Sequence, residues 1–361
     1  MDRILATYRI RAAAAESRAR ADALAAEQSV EMPLAAIRDG HVLANVVASV
    51  EDIRPGGEAF EVVLGIAPAT TGHEASQLAN MLFGNCSLQP EVELVDVAFP
   101  YGYEKAFSGP RFGIQGIRTL TGVHGRPLTC TALKPQGAPI EHLAKLARTF
   151  ALAGIDVIKD DHGIADQQYG PFEERVPAVQ DAVLQANCET GGRTVYAPTF
   201  SGGPRAMATQ TRIVHECGVR MALVAPMLVG LPAFVELQVD LDIPVIAHPA
   251  FAGAGRIAPA VLLGKLFRLF GADATIFPNH GGRFSYERDT CCAIAAAARE
   301  PWAGVRPTLP VPAGGMTLAR VPEMKETYGR DVMLLIGGGL LAAGDELLQA
   351  SRDFVKAVGA A

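Results

Sequence analysis

The chain lacks the features expected of a membrane-spanning or secreted protein. Among its 361 residues, no uncharged apolar run reaches the roughly 20 residues of a transmembrane helix. The first residues, MDRILATYRI, contain no long apolar segment of the kind found in signal peptides. The 6 cysteines are scattered without a CxxC pair, which is typical of reduced thiols and not of a disulfide framework. We therefore expect a cytoplasmic protein without a membrane partner.

The chain also lacks an excess of positive charge. It has 38 acidic and 32 basic residues, and its formal net charge is −6. Nucleic acids attract basic surfaces, so this balance predicts no nucleic-acid partner. With 49% hydrophobic and 19% charged residues, the composition is that of a globular protein long enough for two domains.

The pattern of the first 125 residues is that of a small α+β domain. Four stretches alternate like antiparallel strands and two have helical spacing: 3–10, 41–53, 58–67 and 92–100 for the strands, and 18–29 and 73–85 for the helices. Two helices over an antiparallel sheet of this size predict a ferredoxin-like domain at 1–125.

From residue 126 onward, short apolar runs alternate with amphipathic helical stretches. There are eight such runs: PLTCTAL, IDVIKDD, TVYAPTF, MALVAPML, PVIAHPAF, ATIFPN, TLPVPAGG and VMLLIGGG. Runs that are apolar on both faces, with helical crossovers, indicate a parallel sheet covered on both sides. Eight units predict a (β/α)8 barrel over residues 126–361. The alternative, a doubly wound open sheet, normally has a GxGxxG turn after its first strand, and LKPQGAP is not one.

The unusual polar residues of this region follow the predicted strands, where a barrel places its chemistry. They are Lys134 after the first strand, Lys159 to His162 at the second, His248 at the fifth, and Asn279, His280 and Arg283 after the sixth. A purely structural account would not require this collection of polar groups at one rim.

The second strand ends in KDDH, residues 159–162. Alternation along a strand sends Lys159 and Asp161 to one side and Asp160 to the other. Aspartate, histidine and one further ligand suit a divalent cation such as Mg²⁺, which a bare ammonium would oppose. A carbamate formed from Lys159 and CO₂ would instead be an anionic ligand. A plain lysine–aspartate ion pair at the rim is the open alternative.

Several motifs make the chain resemble the RuBisCO large-subunit superfamily. These are FxGPxxGI (Phe107–Ile114), GRPL, LKP, and the KDD run followed by PFxxRV, with further similarity from AAEQS to PAGGM and IGGG. The resemblance implies a ferredoxin-like domain followed by a (β/α)8 barrel. It also implies an obligate homodimer, in which the amino-terminal domain of the partner completes each active site.

The resemblance assigns roles to individual residues. It implies that Lys159 is the carbamylated lysine and Asp161 a metal-binding aspartate, whereas His162 stands where carboxylases have a metal-binding glutamate. A histidine in this position weakens the hold on Mg²⁺ and makes Mn²⁺ possible; His162 could also hydrogen-bond behind a metal-bound water. Lys134 corresponds to the lysine that helps to move the proton during enolisation, and His248 to an active-site histidine.

Other matches concern the substrate. Glu27 and Asn85 correspond to polar residues contributed across the dimer. Backbone amides that hold a substrate phosphate correspond to four glycines: Gly314, Gly315, Gly337 and Gly338. Arg283 could pair with a carboxylate or phosphate of the substrate. His280 could act as a second acid or base, without a family counterpart.

The departures from the family pattern exclude CO₂ fixation. Gln136, Pro249, Ile276 and Arg283 replace a lysine, an arginine, a histidine and the flexible-loop lysine, and Ala132 replaces a threonine. Several of these family residues hold a second phosphate or position CO₂. The chain therefore resembles the RuBisCO-like proteins, form IV, which keep the enolising core.

We expect a Mg²⁺-dependent enolising enzyme for a phosphorylated keto-sugar. The preferred activity is 5-methylthioribulose-1-phosphate isomerase, or the related diketone-phosphate enolase of methionine salvage. A decarboxylase of 3-oxo-isoapionate 4-phosphate, as in apiose catabolism, is the first alternative, since decarboxylation passes through the same enolate. A non-catalytic stress-response protein on the same scaffold is the second.

Overall fold

The computed structural model describes residues 2–284 and 286–360, so the predicted domain ends at Met1 and Ala361 lie outside the described residues. The described chain forms two compact units. The first extends to Ser108 and includes Ala252–Leu262 and Ala303–Val305. The second contains Gly109–Phe251, Leu263–Trp302 and the chain from Arg306 onward.

The first unit has the element order of a ferredoxin-like domain. Its strands and helices are β1 Ile4–Ile10, α1 Ser17–Glu27, α2 Gly40–Asn45, β2 Ser49–Gly56, β3 Ala59–Ile66, α3 Ala75–Phe83 and β4 Val92–Ala98. The strands pair antiparallel in the order β2-β3-β1-β4. With α1 and α3 as the crossovers, this sheet confirms the predicted fold of the region.

The strand predicted over residues 41–53 is wrong in its first half. Gly40–Asn45 form α2, and β2 begins only at Ser49. The side chain of Asp39 accepts a hydrogen bond of 2.8 Å from the backbone N–H of His41. This cap satisfies a backbone donor at the first turn of the helix, which the apolar alternation did not reveal.

The second unit contains the eight predicted barrel strands, the third of which is split by Pro198. The strands are β5 Leu128–Leu133, β6 Val157–Asp160, β7 Val195–Ala197, β8 Thr199–Phe200, β9 Ala222–Val224, β10 Val245–Ala247, β11 Ala274–Pro278, β12 Leu309–Ala313 and β13 Met333–Leu335. They pair in parallel in the orders β13-β5-β6-β7 and β8-β9-β10-β11-β12. Since β12 also lies beside β13, the sheet closes, and the predicted barrel is confirmed.

The first helix of this unit precedes the first strand of the barrel, and the other helices alternate with or follow the strands along the chain. They are α4 Gly113–Thr121, α5 Ile140–Leu152, α6 Phe172–Thr190, α7 Pro204–Glu216, α8 Pro226–Val229, α9 Leu231–Leu241, α10 Phe267–Leu269, α11 Arg288–Arg299, α12 Val321–Tyr328, α13 Gly338–Leu341 and α14 Leu347–Gly359, with a π-helical segment at Ala260–Leu266. Within the described chain, no helix has both the length and the apolar character needed to span a bilayer.

Inward-facing positions repeat with period two along the barrel strands. Leu128 and Cys130 of β5, Val157 of β6 and Ile246 of β10 belong to one buried core cluster. Continuing the same alternation points the next positions, at the carboxyl ends of these strands, toward the barrel axis. The core pattern therefore fixes which residues beyond the strands face the mouth of the barrel.

Helix α4 closes the core from the other end of the strands. Its Ile114 and Ile117 pack into the barrel cluster. Asp273, 1% exposed, holds the start of this helix by accepting hydrogen bonds from the backbone N–H groups of Phe112 at 2.7 Å and Gly113 at 2.6 Å. The predicted boundary after residue 125 assigns α4 to the first domain. In the structure, α4 belongs to the second unit, which begins at Gly109, and contributes to the barrel core.

Replacing Asp273 by alanine should destabilise the barrel. The substitution leaves the N–H groups of Phe112, Gly113 and Val245 without their acceptor, at a cost of roughly 1–3 kcal/mol for each buried donor. D273N keeps one oxygen for Phe112 and Gly113 and should lose about half as much. The free energy of unfolding is measured with urea at pH 7.5. Burial raises the pKa of Asp273 to about 6, so the carboxyl group is ionised at this pH. A D273A protein within 1 kcal/mol of the wild type (less than one buried donor) would contradict this account.

Candidate active site

The carboxyl ends of β5 and β6 bring two of the predicted residues into contact. Lys134 follows β5 at the inward parity of Cys130, and its Nζ donates a 2.7 Å hydrogen bond to Oδ1 of Asp161, just beyond β6. The ladder extends to this point, because the N–H of Asp161 donates to the carbonyl of Leu133 at 3.2 Å. The ion pair therefore lies at the rim where a barrel keeps its reactive groups.

Lys159 lies deeper in the barrel, two residues beyond the core residue Val157, and is 3% exposed. Its register partners on the neighbouring strands are Ala132 and Ala197, whose methyl groups are small. Its Nζ donates a 3.0 Å hydrogen bond to the carbonyl of Asp160. Burial lowers the pKa of Lys159, which favours the neutral amine that can react with CO₂.

Two histidines stack beside this pair. The rings of His162 and His248 lie 4.4 Å apart and 9° from parallel, and Nδ1 of His162 lies 3.5 Å from Oδ1 of Asp161. Burial, together with the charges of Lys159 and His162, lowers the pKa of His248 to about 2. Because Nδ1 of His248 accepts the N–H of Ala250 at 3.1 Å, the neutral ring carries its proton on Nε2.

Asp161 is the anionic centre of the cluster. Burial alone would raise its pKa, but hydrogen bonds from His162 and Lys134 and the charge of Lys159 outweigh burial and lower the pKa below the usual range for an aspartate. A carboxylate held in this way stays ionised over the whole physiological pH range.

The loop after β13 reaches the same place. A Cβ on Gly337 would lie 3.8 Å from Cε of Lys134 and 3.7 Å from Cβ of Ala132. A Cβ on the next residue, Gly338, would meet nothing within 4 Å. The structure thus places Gly337 against the predicted catalytic lysine and leaves space in front of Gly338.

The loops after β11 and β12 contact each other through glycines. The backbone N–H of Arg283 donates to the carbonyl of Gly314 at 3.1 Å. Gly315 has a positive φ of 79°, and a Cβ there would lie 2.7 Å from the backbone nitrogen of Arg283, so a larger residue would separate the loops. The side chain of Arg283 is exposed, with its guanidinium 5.0 Å from the ring centre of Phe284.

His280 is held by contacts with Glu323 of α12 and with Arg320, the residue before that helix. Its Nε2 lies 2.7 Å from Oε1 of Glu323, and its carbonyl accepts a 2.7 Å hydrogen bond from Arg320. Arg320 in turn pairs with Glu323 at 2.9 Å. These contacts anchor the start of the Arg283 loop, and an acid or base role for His280 stays a prediction.

Glu27 and Asn85 form their own cluster within the first unit. Nδ2 of Asn85 donates to Oε1 of Glu27 at 2.9 Å and to Oε1 of Glu31 at 3.1 Å. Asn85 is exposed and Glu27 partly so. The contribution of these two residues across a dimer stays a prediction.

A buried group beneath the site was missed by the sequence analysis. Asp160, on the face of β6 opposite Lys159, is fully buried and forms an ion pair with the fully buried Arg175 of α6. The signal was present in the sequence. Alternation placed Asp160 on the buried outer face, where a carboxylate needs a cation, and Arg175 lies in the PFxxRV motif.

The residues at the barrel mouth fit a divalent cation only if Lys159 is modified. Among the residues that the structure describes, no group of three or more His, Cys, Asp and Glu side chains could hold a metal ion. Asp161 supplies one anionic donor with His162 beside it. A carbamate on Lys159 would supply the missing oxygen ligands, and the lowered pKa of its amine favours that reaction.

The chain is similar to known proteins along its whole length. The family described as "Ribulose bisphosphate carboxylase large chain, catalytic domain" matches residues 113–277. The 5-methylthioribulose-1-phosphate isomerase of Rhodospirillum rubrum is 52% identical over 363 residues, which cover 100% of this chain and 97% of that protein. The 2,3-diketo-5-methylthiopentyl-1-phosphate enolase of Geobacillus kaustophilus is 35% identical, covering 77% of this chain and 70% of that protein.

A solved structure agrees with these sequence matches. The crystal structure of a Rubisco-like protein from Rhodopseudomonas palustris superimposes with a TM-score of 0.93 at 48% identity. The superposition covers 99% of this chain and 98% of that chain.

The partly buried, neutral His248 should make stability depend on pH. Its pKa is depressed from an ordinary value near 6.5 to about 2 in the folded state, so the unfolded chain takes up the proton first as pH falls. The stabilisation is complete above pH ~6.5 and is lost progressively below it, by about 2 kcal/mol at pH 5. H248N cannot titrate and can still accept the N–H of Ala250. Urea unfolding at pH 7.5 and pH 5 should therefore show a larger loss for the wild type, and equal losses in both proteins would refute the shift.

Proposed function

Because the chain belongs to the family of ribulose bisphosphate carboxylase large chains, we propose that it is a RuBisCO-like enzyme that enolises a phosphorylated keto-sugar without fixing CO₂. The observation that carries this proposal is the Lys134–Asp161 pair beside the buried Lys159 at the barrel mouth. Enolisation requires a base next to a carbonyl and an environment that stabilises the developing oxyanion. The barrel mouth supplies both.

The preferred reaction is the isomerisation of 5-methylthioribulose 1-phosphate. The isomerase of Rhodospirillum rubrum is 52% identical and aligns over the full chain. Ile276, Pro249 and Gln136 stand where the carboxylase pattern has residues that hold a second phosphate or position CO₂, which suits a substrate with one phosphate and an apolar far end. The chain is therefore not a ribulose bisphosphate carboxylase.

In the proposed mechanism, Lys134 moves the proton between neighbouring substrate carbons. It takes the proton as a neutral amine, after the proton of the ion pair with Asp161 has left to solvent, and returns it as the ammonium. Its side chain is 34% exposed, so a substrate can reach Nζ, and Asp161 orients it at 2.7 Å. His248 is neutral and carries its proton on Nε2, so it donates a hydrogen bond to a substrate oxygen and does not remove protons. Mg²⁺ or Mn²⁺, held by the Lys159 carbamate with Asp161 and His162, would polarise the substrate carbonyl and stabilise the enolate oxygen.

The glycine loops are the proposed phosphate site. Backbone N–H groups at Gly314, Gly315, Gly337 and Gly338 can approach an anion closely because no side chain intervenes. The open space in front of Gly338 and the contact of Gly337 with Lys134 support this placement. Arg283 reaches the same rim on its own loop and would add a positive charge.

A homodimer with shared sites is part of the proposal. Glu27 and Asn85 are held together by a 2.9 Å hydrogen bond at the surface of the first unit. A polar pair on the surface contributes little to the stability of its own unit. Both side chains therefore remain available to contact a substrate bound in the second subunit.

The second candidate is enolisation of the 2,3-diketo-5-methylthiopentyl 1-phosphate type. It is supported by the 35% identity to the Geobacillus kaustophilus enolase. Both reactions remove a proton next to a carbonyl and pass through an enolate, so the same residues serve both. They differ in where the proton goes, because isomerisation returns it to a neighbouring carbon and formation of the enol leaves it on oxygen.

Replacing Lys134 by methionine should abolish proton transfer. Deuterium incorporation from D₂O into 5-methylthioribulose 1-phosphate, followed by NMR, should fall about 10²–10⁴-fold, because one general acid–base group contributes this much. K356M is the control, since it removes an exposed lysine from α14.

The same assay distinguishes the candidate reactions. Exchange with isomerisation supports the isomerase, exchange into the diketone phosphate alone supports the enolase, and CO₂ release from a 3-oxo-sugar-acid phosphate supports the decarboxylase. Unchanged exchange in K134M would contradict the proposed base.

Removing the metal and CO₂ should silence the enzyme reversibly. Activity should be lost after treatment with a chelator and return when Mg²⁺ and bicarbonate are added together, because the ligand set depends on the carbamate. NMR with ¹³C-labelled bicarbonate should show a carbamate signal in the wild type and none in K159M. If chelation leaves the rate unchanged, the metal has no part in the reaction.

A further inference from the structure

The outer face of β6 is held by a buried ion pair directly behind the proposed site. The side chains of Asp160 and Arg175 are both 0% exposed, and Nη2 of Arg175 lies 3.3 Å from Oδ2 of Asp160. The other carboxylate oxygen accepts a 2.8 Å hydrogen bond from the hydroxyl of Tyr196, and Oδ2 also accepts the N–H of Thr199 at 3.1 Å. Three segments of chain thus converge on Asp160.

The same guanidinium also holds the loop that follows β6 at two points, one in each half of the loop. Nη1 of Arg175 donates to the carbonyl of Ala165 at 2.6 Å and to the carbonyl of Gly170 at 2.8 Å. The loop 161–171 carries Asp161 and His162. Arg175 therefore connects the tip of the strand to both halves of the loop.

The position of Asp160 couples this cluster to the chemistry. It is the residue between Lys159 and Asp161, so a rotation of its backbone would turn both side chains away from the barrel axis. The carbonyl of Asp160 accepts the hydrogen bond from Nζ of Lys159 at 3.0 Å. Thr199, which binds the Asp160 carboxylate through its N–H, also donates its hydroxyl to the carbonyl of Asp161 at 3.2 Å.

Stability alone does not account for this arrangement. A fully buried ion pair contributes little net stability in comparison with an apolar pair of the same volume, because both charges lose their hydration. Hydrogen-bond partners behind metal ligands typically orient those ligands and tune their affinity. We propose that Arg175 is a positioning residue, which sets the orientation of Lys159, Asp161 and His162 through Asp160 and the 161–171 loop.

This inference rests on the proposed function, since positioning matters only if those side chains bind a ligand. The test compares R175K and Y196F with the control R118K. Lysine keeps the charge at residue 175 but lacks the planar fork in which Nη2 holds the carboxylate and Nη1 holds both carbonyls. Y196F removes one hydrogen bond. Arg118 is the matched control: it is 2% exposed, pairs with Asp331 at 2.8 Å and binds the carbonyl of Val123 at 2.8 Å, at the opposite end of the strands.

Three measurements are made on each full-length protein: the Kd for Mn²⁺ in the presence of bicarbonate by electron paramagnetic resonance, kcat and KM for deuterium exchange, and amide exchange of the 161–171 peptide in the metal-free protein. We expect R175K to raise the Kd for Mn²⁺ about 10–100-fold and to lower kcat with KM nearly unchanged. Its loop should exchange faster than that of the wild type. Y196F should change in the same direction to a smaller extent, and R118K should match the wild type in all three despite a lower melting temperature.

The inference is overturned if R175K and R118K share the same Mn²⁺ affinity and the same loop exchange, because Arg175 would then only stabilise the fold. Failure of the proposed function gives a different result, in which the wild type itself neither binds Mn²⁺ nor exchanges deuterium. Amide exchange then still decides whether Arg175 holds the loop. Unchanged loop exchange in R175K rejects the inference, and faster exchange supports it.

Discussion

The parallel register between β5 and β6 is the constraint on which the site depends. Ala132 lies opposite Lys159 and Leu133 opposite Asp160, so the residues that follow, Lys134 and Asp161, leave the sheet at the same edge. A slip of one residue in β6 would exchange its two faces and bury Lys159 among the outer helices. The inward packing of Val157 and Cys130 in the barrel core prevents this slip, because an apolar core stabilises only one register.

Each face of β6 then has its own balance of charge. On the inner face, Asp161 lies between Lys134 and His162 and stays ionised. On the outer face, the buried Asp160 is paired with Arg175. Lys159 is left in the barrel with a lowered pKa and a backbone carbonyl as its hydrogen-bond acceptor. Because each aspartate has its own partner, the side chain of Lys159 hydrogen-bonds to neither carboxylate.

The surrounding loops bring neutral and backbone groups close to Lys134 and Arg283. His248 is neutral and therefore a donor, and the glycines after β12 and β13 offer backbone groups near Lys134 and Arg283. None of these features requires CO₂ as a substrate. In the proposed function, the residues that enolise the substrate are separable from those that would position a second phosphate, because Ile276 and Gln136 change only the latter positions.

The local sequence pattern was sufficient to predict the barrel strands. It was not sufficient where a single side-chain contact determines the local structure. The eight apolar runs predicted the strands because burial on both faces of a parallel sheet leaves a continuous apolar signal. The strand predicted at 41–45 is wrong, because the cap from Asp39 favours a helix there. The contact of His280 with Glu323 could not be predicted, because the two residues are 43 positions apart along the chain and meet only in the folded structure.

The sequence by itself determined most of the order of elements and the side of β6 that carries Lys159 and Asp161, because both follow from short-range periodicity. Its motifs also showed the resemblance to the family. Only the tertiary structure decided that Lys134 contacts Asp161, that His248 is neutral, and that Arg175 lies behind Asp160. Those facts depend on burial and on distances between residues far apart in the chain, and both exist only once the barrel has closed.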